Sequence, residues 1–412
     1  MSRDSDERSK PGFDGALPWR IPFIFAVTFV IHHFDRNAIA YALPKIAQEL
    51  DWTDQQLGDW GQYLLGAFFL TFGLAQIAFS GAAERLGAKR SMIAAIVGFS
   101  LVSMAVGPLG GSLGALIALR LLLGLSESVH VPMMGVITAR NFPPQARATA
   151  NAIWNVGLIV ATALSSIVMV PLIGAIGWRA AFVVIGAAGL LIGAPLVAFF
   201  VNDSGRPAMK RGAWGGAFVR RPNYWLYVAI GVLNAFAGFG ILGWLPTYFV
   251  RAKGVDFAAL GWPLGIVFTA GVVGTIVIAW LGDRLEKRVP LASLGLLAAG
   301  GLLCFAIEAQ SLSALVVLFA AGVFCQSAFQ AQEHSTVQAL AGDADVGAAT
   351  GIYNGASLVL GGVVGSMVPG AIVASTGSFD NALYAIAGAA VLAGLLAALL
   401  AARGGEITTS GN

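Results

Sequence analysis

Charge is scarce in this 412-residue chain: 11% of residues are Asp, Glu, Lys or Arg, against 57% that are hydrophobic. A soluble domain carries about 25% charged residues, and a surface this apolar cannot be covered with polar groups in water. The mean hydropathy of +0.79 points the same way, so lipid is the expected solvent for much of the chain. Cysteine is nearly absent. Cys304 and Cys325 both lie in apolar runs, without metal-ligand spacing or a disulfide framework, and read as buried free thiols. No short apolar core with a cleavage site precedes the first long run. Residues 1–20 therefore read as a disordered cytosolic leader rather than a cleaved signal peptide. There is no Walker A sequence, so ATP-driven transport is not supported and no cofactor is expected. No nucleophile–base pair or metal site stands out, which argues against an enzyme, and a net charge of +3 gives no reason to expect a nucleic-acid partner.

What the chain does have is long apolar runs. A membrane-spanning helix needs about 20 mostly apolar residues. Twelve runs qualify: 21–43, 57–79, 91–108, 112–138, 149–174, 178–201, 224–250, 258–281, 290–308, 312–338, 347–374 and 380–402. The predicted fold is an all-α membrane protein of two six-helix bundles, 21–201 and 223–402, joined by a basic linker, 202–222, and followed by a tail, 403–412. Lys and Arg mark cytoplasmic segments. With the N-terminus in the cytoplasm, most of the 24 Lys and Arg residues fall on that side, which places both termini there. The chain is expected to act as a monomer in a bacterial inner membrane.

The two halves repeat a pattern. Ser80-Gly-Ala-Ala-Glu84-Arg85-Leu-Gly87-Ala-Lys89-Arg90 follows the second run, and Ala279-Trp-Leu-Gly-Asp283-Arg284-Leu-Glu-Lys287-Arg288 follows the eighth. An acid–Arg pair at a tight turn can bridge to a neighbouring helix in one conformation and release it in another. The plainer reading is a pair of basic loops. Both turns resemble motif A of the major facilitator superfamily, Gly-x-x-x-Asp-Arg-x-Gly-Arg-Lys. They depart from it at Ser80, Ala279, Glu84 and Glu286. The resemblance implies the major facilitator fold over residues 20–402, with Glu84, Arg85, Asp283 and Arg284 as a gating motif.

Ionisable residues inside spans are costly to bury and are functional candidates by default. They gather in the first half: His32, His33, Asp35 and Arg36 in the first span, and Arg120, Glu127 and His130 in the fourth. At about 1.5 Å per residue, Arg36 and Arg120 lie at similar depth. Glu127 is two turns beyond Arg120 on the same face. A buried arginine keeps its charge and needs an acid or an anionic substrate to neutralise it. A buried carboxyl can take up and release a proton near neutral pH. The combination suits proton-coupled uptake of an anion. The alternative is structural ion pairing, Asp35–Arg120 or Arg36–Glu127. The histidines lack metal spacing. His130, three residues beyond Glu127, is placed to modulate its proton.

A narrower resemblance rests on these residues. Phe34-Asp35-Arg36-Asn37, Arg120-Leu-Leu-Leu-Gly124-Leu-Ser-Glu127-Ser128, Asn141-Phe142-Pro143-Pro144-Gln-Ala-Arg147-Ala, Gly177-Trp178-Arg179 and Gly243-Trp244-Leu-Pro246-Thr247-Tyr248 are similar to the anion:cation symporter family. That family includes bacterial carriers of sugar acids and aromatic acids, and sialin and the vesicular glutamate transporters. The resemblance implies that helices one and four line a central cavity and that Arg36 binds the substrate carboxylate. It implies that Asp35 and Glu127 carry protons, tuned by Arg120. Phe72 falls where the family has a cavity tyrosine, with Tyr63 nearby.

Neutral polar residues complete a candidate binding ring. Asn151 and Asn155 share a helix face, as do Gln326 and Gln330, with Glu333 continuing that face; Asn234 and Asn354 stand in the seventh and eleventh spans. Tyr63, Asn155, Asn234, Gln326, Gln330 and Asn354 are the candidates to hold the rest of the substrate. The other reading of such residues is hydrogen bonding between helices. The fifth span, Asn155-Val-Gly-Leu-Ile-Val-Ala-Thr-Ala-Leu, lacks the Gly-Pro signature of drug antiporters. The reading is a symporter that imports a small organic anion with protons. An exporter of drugs or anions on the same fold and a non-transporting membrane sensor are its rivals.

Overall fold

The computed structural model describes residues 17–203, 217–285, 287–341 and 345–403. Most of the expected leader, the middle of the linker, Glu286 and most of the tail lie outside these residues. Thirteen α-helices are present among the described residues: α1 (Arg20–Glu49), α2 (Asp54–Leu109), α3 (Leu113–Glu127), α4 (His130–Asn141), α5 (Pro144–Ala188), α6 (Ala194–Phe200), α7 (Pro222–Arg251), α8 (Gly261–Leu285), α9 (Arg288–Glu308), α10 (Leu312–Ala341), α11 (Val346–Ala356), α12 (Val363–Thr376) and α13 (Phe379–Ala402). Among the described residues, nine helical stretches are long and apolar enough to cross a membrane. Their outward faces carry large apolar side chains such as Leu74, Leu191, Phe199, Trp262, Leu294 and Phe305, each more than half exposed. Such a surface belongs in lipid.

Several expected boundaries are redrawn. The second and third runs form one 56-residue element, α2, which turns at Gly87 with φ 109°. The fifth and sixth merge likewise through Gly177, φ 78°. A side chain is strained at such a φ, so glycine lets the chain reverse in one residue where loops were expected. The fourth run divides at Ser128–Val129, between α3 and α4. The eleventh is interrupted by a π-helical stretch, Ser357–Gly362, and a second one, Gly189–Gly193, precedes α6. Such stretches tend to mark functional sites. Cys304 and Cys325 are free thiols but only partly buried, a correction to the fully buried expectation.

Helices α1–α6 pack on one another, as do α7–α13, and the two groups meet along α1–α7, α2–α12 and α5–α8. Close approach depends on small residues. A methyl group added at Gly58 would run into the backbone of Gly370 and Ala374, and one at Gly157 into the carbonyl of Ala26. At the face where α1 ends and α2 begins, the groups are locked together. Arg251 donates to Asp54 through Nε at 2.7 Å and to the Trp52 carbonyl through Nη2 at 3.1 Å. Trp244 wedges against Gly61 and Gly370 and donates from Nε1 to the Ser366 carbonyl.

Candidate functional site

Below that locked face, a cavity of about 1340 Å³ runs between the two groups of helices toward the face that holds the basic turns. One wall presents Phe29, His33, Arg36, Asn37 and Phe72; the other presents Asn234, Gln326, Gln330, Glu333 and Asn354. Arg36 is the one Lys or Arg among the described residues that line it.

α1 places His32 and Arg36 four residues apart, so both face α3. The Arg36 guanidinium lies over the rings of Phe72, at 4.4 Å, and Phe68, at 4.9 Å. Its Nη2 is 3.4 Å from Glu127 Oε2. That oxygen also meets His32 Nε2 at 3.0 Å. Glu127 is fully buried at the last turn of α3, and its Oε1 has no partner among the described residues. His130, the first residue of α4, stacks on His32 with centroids 4.9 Å apart and planes 18° from parallel. Among the described residues neither nitrogen of His130 has a hydrogen-bond partner, so it makes no direct contact with Glu127.

The second candidate pair is arranged differently. Asp35 accepts a hydrogen bond from Ser103. Arg120 donates from Nε to the Leu64 carbonyl at 2.9 Å and lies over Phe68 at 4.9 Å. Of the two ion pairs weighed from sequence, Arg36–Glu127 is formed; Asp35 and Arg120 make no ion pair within 4.0 Å among the described residues. Asp35, Arg120 and Glu127 stand behind the cavity wall, and Arg36 alone of the four reaches its surface.

The neutral residues divide. Asn234, Gln326, Gln330 and Asn354 all line the cavity. Gln326 donates to the Asn234 side-chain oxygen at 3.1 Å, so part of its capacity is already used. Tyr63 is not on the wall: it is 43% exposed on the outer surface. Nine residues separate it from Phe72, which is half a turn out of phase on a helix. Asn155 is also off the wall. Its amide folds back onto the Asn151 carbonyl at 3.0 Å, and Leu158, Ile159 and Thr162 are the α5 residues that line the cavity.

At the basic turns, Glu84 pairs with Arg140 of α4 at 3.3 Å, and Arg140 also grips Asp203 through both carboxylate oxygens, at 3.0 and 2.9 Å. The acid of the expected gating pair therefore bridges to a neighbouring helix within the first group. Arg85 is exposed and in no ion pair among the described residues, and Arg284 lies over the Trp280 ring at 4.4 Å. The Asp283 side chain is outside the described residues.

Sequence reasoning passed over His32 as a site residue, although its spacing of four from Arg36 was available as a signal. It gave Glu333 no role beyond extending a helix face. Glu333 lines the cavity, accepting from the Tyr353 hydroxyl at 2.8 Å. Ser103 and the Leu64 carbonyl had no signal, because a serine or a peptide oxygen becomes a partner only once α2 lies against α1 and α3.

The arrangement can exchange charge partners. Two arginines and two carboxylates balance when all are ionised. A carboxylate arriving at Arg36 adds one negative charge to a water-poor site, and one proton on a site acid restores the balance.

The sequence profile of the Major Facilitator Superfamily matches residues 25–357 and 251–406. The probable galactarate/D-glucarate transporter GudP of Bacillus subtilis is 25% identical across 97% of this chain and 95% of its own. The probable sulfoacetate transporter SauU of Cupriavidus necator is 28% identical across 91% of this chain and 92% of its own. Among solved structures, a bacterial homologue of the human lysosomal transporter Spinster, inward-facing and occupied, superposes with a TM-score of 0.82 at 17% identity, over 94% of this chain and 98% of that one. With two groups of helices closing over one central cavity, the chain belongs to the Major Facilitator Superfamily and is a transporter rather than an enzyme.

Proposed function

We propose that the protein is a proton-coupled symporter that imports a small organic anion (a monocarboxylate, sugar acid or aromatic acid) by rocker-switch alternating access. The observation that carries this reading is Arg36. It is the cavity's one described cationic side chain, and it shares a single carboxylate oxygen with its counter-ion, Glu127. A guanidinium held that way can be claimed by a substrate carboxylate through two hydrogen bonds. Glu127, left behind in a buried site, then takes the proton, with Asp35 as the second acid. The ion gradient is the only energy source required, so no cofactor is involved.

Several relatives support an anionic substrate: a probable galactarate/D-glucarate transporter, a probable sulfoacetate transporter, a hexuronate transporter and a D-galactonate transporter, while another relative is an MFS-type efflux pump. Splitting α2 at Gly87 and α5 at Gly177, and counting α1, gives twelve spans. The basic turns and both termini then face the bacterial cytoplasm, by the positive-inside rule. In that orientation the cavity of this structure is open inward and sealed outward at Arg251–Asp54. The protein works as a monomer, since one chain holds the whole cavity.

The test is uptake into proteoliposomes with the outside acidic. Arg36→Ala abolishes it. Glu127→Gln removes pH-driven accumulation while leaving substrate exchange. Wild-type accumulation by both variants contradicts the assignment.

A further inference from the structure

His32 has no role in the exchange just described, yet it makes the shorter of the two contacts to Glu127 Oε2: 3.0 Å, against 3.4 Å for Arg36. Both side chains are fully buried. A buried polar atom is normally paired, and unpaired ones call for an explanation. Among the described residues, four such atoms lie along one run of neighbouring groups: Glu127 Oε1, His32 Nδ1 and both nitrogens of His130. His32 Nε2 meets Glu127 and also lies 3.5 Å from Arg36 Nη2, and aromatic rings hold the imidazole on its other sides. His130 stacks on its face, Phe99 meets it edge-on at 5.9 Å, and Phe29 and Phe72 lie at 5.8 and 6.3 Å.

We infer that His32 is a positioning residue that keeps Glu127 partnered in both of its protonation states, and so frees Arg36 for the substrate. The inference rests on the symport reading above. An imidazole suits the task because its two tautomers swap donor and acceptor. When Glu127 is a carboxylate, His32 carries its proton on Nε2 and donates to Oε2, and Nδ1 holds a lone pair. When Glu127 is protonated on Oε2, that hydroxyl donates to Nε2, and the imidazole proton sits on Nδ1. Passing from the first state to the second, one proton is taken up at Nδ1 while the Nε2 proton moves to Oε2; the imidazole stays neutral overall. Arg36 cannot do this, because it has donors only. Without His32, a carboxyl abandoned by Arg36 would have no partner in the fully buried site.

The charged and titratable groups facing this pair come from three helices. α1 supplies His33, Asp35 and Arg36, α3 supplies Arg120, and α4 supplies His130. From α2 come only the Phe72 and Phe99 rings. His33 is engaged elsewhere, its Nδ1 lying 3.0 Å from the Phe29 carbonyl. Of the histidines, only His32 contacts the acid.

The experiment is an infrared titration of the purified full-length protein in lipid nanodiscs from pH 5 to 9, without substrate. The carboxyl band that disappears in Glu127→Gln belongs to Glu127. In His32→Gln, whose amide can reach the Nε2 position and both donate and accept, its midpoint stays within a few tenths of a unit of wild type. In His32→Asn, whose amide falls short, it moves by at least about one unit, the tenfold change equivalent to losing one partner. Should His32→Asn not fold, wild-type protein with ring-labelled histidine gives the same answer: one histidine switches its tautomer marker at the Glu127 midpoint. An unmoved midpoint in His32→Asn, no histidine switching with Glu127, or no Glu127 band in this range overturns the inference. Failure of the symport reading shows separately, as wild-type uptake by Arg36→Ala, and does not alter the infrared result.

Discussion

Four ionisable side chains gather at the candidate site, and each is held by a contact of its own. Arg120 is the plainest case. Its Nε reaches the Leu64 carbonyl, and its guanidinium plane lies over Phe68, on which Arg36 also rests. Lysine supplies the charge but neither the planar face nor the fixed donor. Arg120→Lys is therefore expected to cut initial uptake by about tenfold or more, with the folded yield unchanged on gel filtration; wild-type uptake would show that charge alone matters. At this scale the sequence was legible where burying a charge is itself anomalous. Asp35, Arg36, Arg120 and Glu127 stood out because lipid penalises them. Asn155 and Tyr63 did not announce their direction, since a polar residue in a span can turn to its own helix or to the outer surface. Ser103 became visible only when α2 lay against α1.

The helices themselves were read from runs of apolar residues, which give length but not internal breaks. The turn at Ser128–Val129 and the π-helical stretch at Ser357–Gly362 depend on packing against other helices, so no local pattern predicts them. The bends at Gly87 and Gly177 fall in the gaps expected between apolar runs, and glycine makes them single-residue turns. The Gly177 bend is clamped from outside. Trp178 donates to Glu49 Oε2 at 2.7 Å, and Arg179 pairs with the same carboxylate, at the end of α1 and beyond its apolar run. The Arg179 hydrogen bond holds the Glu49 carboxyl below its usual value against the opposing effect of burial, and the Trp178 hydrogen bond and the Arg179 charge add to the lowering. A lowered carboxylate stabilises the fold above the ordinary range, about pH 4, and loses that contribution as pH falls through the lowered value. Wild type should melt higher than Glu49→Gln at pH 7, with the gap closing as pH falls below the ordinary carboxylate range of about 4. A gap that stays constant on acidification would contradict the ionic clamp.

For the molecule as a whole, the proposed alternating access requires the two groups of helices to trade one set of contacts for another. The closed face is held by apolar packing around Trp244 and by the partly exposed Arg251–Asp54 pair. Such a pair is worth about 0.5–1 kcal/mol, so its loss shifts a two-state equilibrium by roughly two- to fivefold. Spin labels at Gln55 and Ser375, both exposed on that face, should report a larger long-distance population in Arg251→Ala than in the parent. An unchanged distribution would mean that the pair does not bias the switch. Two-group architecture was legible from the repeated acid–Arg turns. Which face is closed was not, because both states satisfy the same apolar pattern.

The most direct test of the whole account is flux in reconstituted liposomes under an imposed pH gradient, run in both directions with D-galactonate, a hexuronate, sulfoacetate and an aromatic acid. The account predicts that at least one of these anions accumulates on the less acidic side, that reversing the gradient reverses the flux, and that each anion carried acidifies the receiving side. Expulsion of the anion toward the acidic side, or accumulation indifferent to pH, would contradict proton-coupled symport.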